Sequence, residues 1–254
     1  MKKIILGPLI SVITMGSSFA ACTYNFDATA AQIAQFDSSA ARFPVVNNQK
    51  VAFNVIAEND VKAYTALSSD YIATRIAGGD DGDIAIPTSG IFAYEYKIKV
   101  PTYLLNGDEA LLFAPLGAFG TLNNQNTQSI TLTYWNNTST NPNKNEFKLF
   151  MNMTGNSFDM PVVATPSGYQ TIGIYVNMDT RKVGVIYNGV NKGYVAPITQ
   201  PFNRLAFANL AGQYNFANNS SNLGQEISIE LITDSTKLQN TYPQGTKDVC
   251  GTTL

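Results

Sequence analysis

The chain contains no histidine. That removes the commonest general base, the usual Ser-His-Asp and Cys-His pairings, and most zinc sites. Carboxylate chemistry survives as an option. Glycoside hydrolysis needs two acids flanking one bond, at separations below about 10 Å. Glu226 and Glu230 in "QEISIEL" would share a strand face. Four residues of extended chain set them ~13 Å apart, too far for either hydrolytic geometry. A glycoside hydrolase is therefore disfavoured, and an enzyme of any kind is not the favoured reading.

Binding chemistry has better candidates. Trp135 is the chain's single tryptophan; in "SITLTYW" it lies opposite the face of Ile130, Leu132 and Tyr134, and it opens the polar run "NNTSTNPNKN". An indole beside Asn136 and Asn137 suits a sugar: the ring stacks on the C–H face while the amides meet hydroxyls with both donors and an acceptor. The same pattern fits a tryptophan packed in an outer layer or under its own loop, and both readings stay open. "GGDDGDI" places Asp80, Asp81 and Asp83 close together. Such oxygen ligands can hold calcium. They also make an ordinary solvated turn, and the run lacks the later Glu and the regular spacing of an EF-hand loop. Calcium is the one cofactor left open.

The two cysteines are Cys22 and Cys250. In an oxidising compartment an isolated pair is most simply a disulfide. Closing so long a loop stabilises by about 5 kcal/mol in the chain-entropy model. With no histidine to complete it, a metal site from these two is disfavoured. The compartment is read from the N-terminus. "MKK", the apolar "IILGPLISVITM" and the small-residue "GSSFA" follow the order of a secretory signal peptide, with cleavage after Ala20. A transmembrane anchor fits less well, because Pro8 interrupts a run shorter than the ~20 residues a spanning helix needs. No later segment is long and apolar enough to span as a helix. Residues 1–20 are thus expected to be the signal, and residues 21–254 one exported domain, periplasmic or extracellular. The rival role for Cys22 is a lipid anchor. "SFAAC" approximates a lipobox with Phe19 where Leu is usual, and Cys250 would then be an unpaired thiol.

Charged residues make up 13% of the chain and the net charge is −2. Nucleic acid is excluded as a partner, since phosphate neutralisation needs a basic face. An anionic membrane gains no attraction either.

The elements that must position these residues are mostly short strands. "FDATAAQIAQF" reads as a short helix with Asp27 as N-cap and Ala30, Ile33 and Phe36 near one face. After it the period becomes two: "RFPVV", "VAFNVIA" and "YIATRIA" read as strands. In "FAYEYKIKV", Phe92, Tyr94, Tyr96, Ile98 and Val100 face one way, and Ala93, Glu95, Lys97 and Lys99 face water. "EALLFAPL", "SITLTYW", "EFKLFMNM", "RLAFANL" and "QEISIELIT" continue the pattern. "YQTIGIYVNMDTRKVGVIYNGVNKGYV" reads as a hairpin with a second turn at Asn188-Gly189, a pair that tolerates positive φ. About twelve strands separated by turn-rich segments indicate an all-β fold: two antiparallel sheets packed as a sandwich around one core.

Two stretches carry a resemblance. The hairpin, with Asp179, Asn188-Gly189 and Gly193, and the strand with Tyr94-Glu95-Tyr96 are similar to the late hairpin and early strand of concanavalin-A-like jelly rolls, including the SPRY group. The resemblance covers about a sixth of the chain and implies a jelly-roll sandwich with a short N-terminal helix. Glucanases of that fold carry E-x-D-x-E on one strand, and legume-type lectins a metal-binding Asp/Asn run; neither is present here. The whole chain also resembles a family of exported Gram-negative proteins of this size, which implies no activity. The expected function is a non-enzymatic binding module for carbohydrate or a cell-surface partner. The alternative is a structural or adhesion protein acting through protein–protein contacts.

Overall fold

The computed structural model describes residues 22–79, 81–122, 127–138, 144–152 and 154–254. The expected signal peptide, Asp80 and Met153 lie outside the described residues. The strands in chain order are β1 (Ala41–Arg42), β2 (Val45–Asn47), β3 (Lys50–Asn54), β4 (Lys62–Ala66), β5 (Ile84–Ala85), β6 (Ile91–Lys99), β7 (Ala110–Leu122) and β8 (Thr127–Asn136). They continue with β9 (Asn145–Met151), β10 (Ser157–Pro161), β11 (Gln170–Asn177), β12 (Lys182–Tyr187), β13 (Val190–Pro197), β14 (Phe202–Tyr214), β15 (Glu226–Ile232) and β16 (Thr246–Asp248). Two short helices, α1 (Ala30–Phe36) and α2 (Ser69–Ile76), complete the set.

The strands form two sheets packed as a jelly-roll sandwich. Sheet I runs β1-β4-β14-β7-β8-β9-β10, with β5 paired to β14. Sheet II runs β13-β12-β11-β6-β15-β3-β2, with β16 paired to β6. All pairings are antiparallel except β1 with β4 and β16 with β6.

Alternation explains the core. Phe92, Tyr94, Tyr96, Ile98, Ile172, Ile174, Val183, Val185, Ile227 and Ile229, the apolar faces of sheet II, are all fully buried. They meet Ile130, Leu132, Tyr134, Phe147, Leu149 and Phe207 of sheet I in one cluster. Each buried aliphatic side chain contributes about 1.5–3 kcal/mol. The Asn188-Gly189 turn has φ of 48° and 78°, as a type I′ hairpin requires. Cys22 and Cys250 are joined, with 5.8 Å between their Cα atoms.

Three expectations are corrected. "YIATRIA" is not a strand but most of α2. Ser68 caps that helix by accepting from the Tyr71 N–H at 3.0 Å, Asp70 lies in the first turn and Arg75 in the last. Asp27 does not cap α1, a role taken by Thr29 in a capping box with Gln32. Its carboxylate instead accepts from the Ser69 N–H at the start of α2, at 2.7 Å. Phe36 is 40% exposed, so the buried face of α1 reduces to Ile33.

The third correction concerns the outer face of β6. Ala93 and Glu95 are 0% and 1% exposed, not in water. Residues 239–242, between β15 and β16, fold back over them. The Glu95 carboxylate accepts from the N–H groups of Gln239 (2.9 Å) and Asn240 (2.7 Å), the Asn240 amide (2.9 Å) and the Tyr242 hydroxyl (3.0 Å). A side chain at Gly173 would collide with this strap, since its Cβ would stand 2.6 Å from the Tyr242 hydroxyl.

Candidate binding face

The outer face of sheet I divides in two. On β14, Ala206 and Ala208 are covered by α1 and α2 through Ala28, Ile33, Leu67, Tyr71 and Ile72. Past Ala208 the cover ends: Leu210 is only partly buried against it, and the Gly212 end of β14, with β7, β8, β9 and β10, lies beyond it. Trp135 belongs to this uncovered half. It is half-buried, and its Nε1 is buried without a hydrogen-bond partner.

Register builds its surroundings. Trp135 pairs with Leu112 on one side and Glu146 on the other. Leu112 pairs with Gly212, and Gly212 with Ala63. Because cross-strand partners share a face, these five residues form one row across the sheet. Next to it runs a polar row with Thr133, Lys148 and Asp159 in register. The charges on this face are matched among themselves: Lys144 lies 3.0 Å from Glu146, and Lys148 lies 3.2 Å from Asp159. The hydrogen bond and charge of Glu146 hold the Lys144 ammonium above its usual pKa. The site therefore offers a flat aromatic and apolar surface bordered by compensated charge.

Asn136 and Asn137 are both 0% exposed and turn away from that surface. Asn136 accepts from the Leu105 N–H at 3.0 Å and donates to the Tyr103 carbonyl at 3.0 Å and the Tyr134 hydroxyl at 3.1 Å. Asn137 donates to the Glu109 carbonyl at 2.8 Å. Their amides pin the 101–109 loop, and in this arrangement neither is presented to a ligand at Trp135. Alternation places Asn136 opposite Trp135, so the two cannot share a face. The residues that do flank the indole in register, Leu112 and Glu146, are distant from it and from each other in sequence. Only "EFKLF", whose polar side carries Glu146 and Lys148, hinted at them.

Of the acidic turn, Gly82 is buried, Asp83 is half-buried and Asp81 is exposed. Gly82 lies against β14 so closely that a Cβ there would overlap the Leu205 main chain. Its carbonyl accepts from Arg204 Nε at 2.6 Å. Asp81 accepts from the Thr121 hydroxyl at 2.9 Å. Asp83 accepts from the Tyr24 hydroxyl at 3.0 Å and from the Ser68 hydroxyl, beside a polar cleft of about 200 Å³. Burial raises the Asp83 carboxyl above its usual pKa, and burial followed by the Asp83 charge raises the Tyr24 phenol. Asp81 and Asp83 join no group of three ligands among the described residues. The one such group is Cys22, Asp248 and Cys250, whose cysteines are consumed by the disulfide.

Glu226 and Glu230 lie on the outer face of sheet II, far from Trp135 in the topology. Glu226 is 3.8 Å from Lys50, and Glu230 pairs in register with Lys50 and Lys97. Among the described residues no helix is long and apolar enough to cross a membrane.

Three solved structures show a similarity to the chain. The carbohydrate recognition domain of Emp47p is 11% identical, with a TM-score of 0.40 over 74% of this chain and 89% of that one. A legume lectin-like domain from Entamoeba histolytica is 8% identical, with a TM-score of 0.37 over 75% and 87%. Alginate lyase A1-II′, of polysaccharide lyase family 7, is 11% identical, with a TM-score of 0.36 over 72% and 75%. Likeness at this level carries nothing about ligand or activity. No curated protein compared with the chain matches it. The family model described as "Domain of unknown function (DUF4882)" matches residues 6–252, and the chain belongs to that family.

Proposed function

We propose that this protein is an exported binding module for carbohydrate, with the uncovered half of sheet I as its binding face. One observation carries the reading: Trp135 stands in one row with Leu112 and Gly212 on a part of that face that lies outside the helix-covered cluster. An indole held from below by packing offers a sugar its π-face at little entropic cost. Thr133, Glu146 and Lys148 supply hydrogen-bonding groups at its border. The disulfide accords with an oxidising compartment. No cofactor is required by the row itself.

The test is a glycan panel titrated against the purified protein, with and without calcium, followed by Trp135 fluorescence. Since Trp135 is the sole tryptophan, the signal reports on this face alone. Trp135→Ala is expected to stay folded by circular dichroism and lose binding on a glycan array. A folded Trp135→Ala that binds like the parent protein would refute the reading.

A further inference from the structure

We infer that the Trp135 face takes the interior of a neutral, extended glycan, laid across the strands from Trp135 over Leu112 and Gly212 to Ala63. The inference rests on the carbohydrate reading above and specifies its substrate class. The register makes the path continuous: Trp135 on β8, Leu112 on β7, Gly212 on β14 and Ala63 on β4 stand side by side. Three inter-strand steps span about 14 Å, the reach of several linked pyranose rings. A single ring on Trp135 would leave the rest of the row untouched.

Gly212 keeps the path low. A Cβ there would rest in ordinary contact with the Leu112 side chain and the Lys62 carbonyl, at 3.7 Å, so the glycine leaves a hollow beside them. A cavity of about 100 Å³ occupies that space, lined by Val61, Ala63, Leu112, Leu210 and Gly212, with Asp37 at its wall. The far end thus offers an apolar floor and a carboxylate that can accept from hydroxyls. Trp135 supplies the stacking surface at the near end.

Charge selects a neutral occupant. The two lysines bordering Trp135 are already paired with Glu146 and Asp159, so a polyanion would have to displace a carboxylate to be neutralised. Topology selects against a peptide strand. Strand addition needs a free sheet edge, and β8, β7 and β14 are each paired on both sides. A ligand crossing them meets side chains only, as a sugar chain with alternating C–H faces and hydroxyls can.

The experiment is a length series: calorimetry and Trp135 fluorescence on the intact disulfide-bonded protein with β-1,4- and β-1,3-linked gluco-oligosaccharides, from disaccharide to hexasaccharide. Affinity is expected to rise about tenfold or more between disaccharide and tetrasaccharide, then level. Gly212→Leu raises a side chain in the path without touching Trp135. It should abolish the gain with length, so that disaccharide and tetrasaccharide bind alike. Should that variant misfold, Leu112→Ala removes part of the floor and should reduce the gain in the same way. Affinity independent of length, or a gain that survives a folded Gly212→Leu, would overturn the path and leave a single-ring site at Trp135. Failure of every oligosaccharide to bind would overturn the path and the neutral-glycan reading together. Binding of an unstructured peptide library instead would do the same.

Discussion

The outer faces of the two sheets start from the same alternating pattern and end differently. On sheet II, two of the four residues predicted to face water on β6, Ala93 and Glu95, are buried: the C-terminal strap lies over Ala93, Tyr175 and Ile186, and Tyr242 packs against them. Glu95, a charged side chain on a strand, survives there because four donors converge on it. On sheet I, the helices cover Ala206 and Ala208 of β14 and stop, so an aromatic residue that would ordinarily be buried is left partly open. What covers a sheet, not the strand's own pattern, decides whether an outward residue serves stability or recognition. Beyond the strap, sheet II shows a charged border of Lys50, Lys97, Glu226 and Glu230, and its own aromatic row, Tyr194 beside Tyr175, runs under the strap to Tyr242.

Four experiments break or sharpen this contrast, the first three acting on the strapped side. The largest effect belongs to the disulfide that ties the strap to the start of the chain. Cys22→Ser combined with Cys250→Ser should cost about 5 kcal/mol by urea unfolding, since the bridge spans 228 residues. A midpoint unchanged from the parent protein would mean that the strap holds without it.

Next comes Glu95→Ala. It leaves several donors under the strap without an acceptor, and should cost about 3 kcal/mol or more. Glycan affinity at Trp135 should not change. If the loss is below about 1 kcal/mol, the carboxylate is not what fixes the strap.

The third concerns alkaline pH. Tyr242 is raised above the usual phenol pKa by burial first and then by the Glu95 charge; Tyr94 and Tyr96 are raised by burial first. Their folded values lie above the unfolded value of about 10, so the stability they contribute is full below that pH and is lost as pH rises past it. Phenolate absorbance should therefore appear together with loss of the β-sheet dichroism. Smooth ionisation of all tyrosines in a still-folded protein would contradict the burial of these three.

The smallest stability change is expected on the open face. Trp135→Ala removes a half-buried side chain whose Nε1 already lacks a partner, and should cost about 1–2 kcal/mol. A loss of about 4 kcal/mol, typical of a core tryptophan, would assign Trp135 to packing and make both outer faces structural.

Local physics was enough to read much of this molecule from its sequence. Period-two alternation identified β6, β8, β9, β11, β12 and β15 and their buried sides, because side-chain direction in a strand is fixed by the backbone. The Asn188-Gly189 turn was legible because few residues tolerate positive φ. The cysteine pair was legible because only one pairing exists. Trp135 was singled out by rarity, and its outward direction by alternation. Its neighbours were not legible. Leu112, Gly212 and Ala63 reach Trp135 through a register set by strands far apart in the chain, and no local signal encodes which strands become neighbours. Asn136 looked like a ligand amide although its place next to Trp135 in sequence puts it on the opposite face, and Asn137, past the end of β8, is drawn onto the Glu109 carbonyl. Helix α2 was missed because "YIATRIA" also alternates, and its cap at Ser68 and support from Asp27 come from outside that stretch. Glu95 was assigned to water because nothing in "YEY" says that residues 239–242 will fold back over it. Those outcomes were decided by long-range packing, where burial and hydrogen bonding between distant segments override what each segment prefers alone.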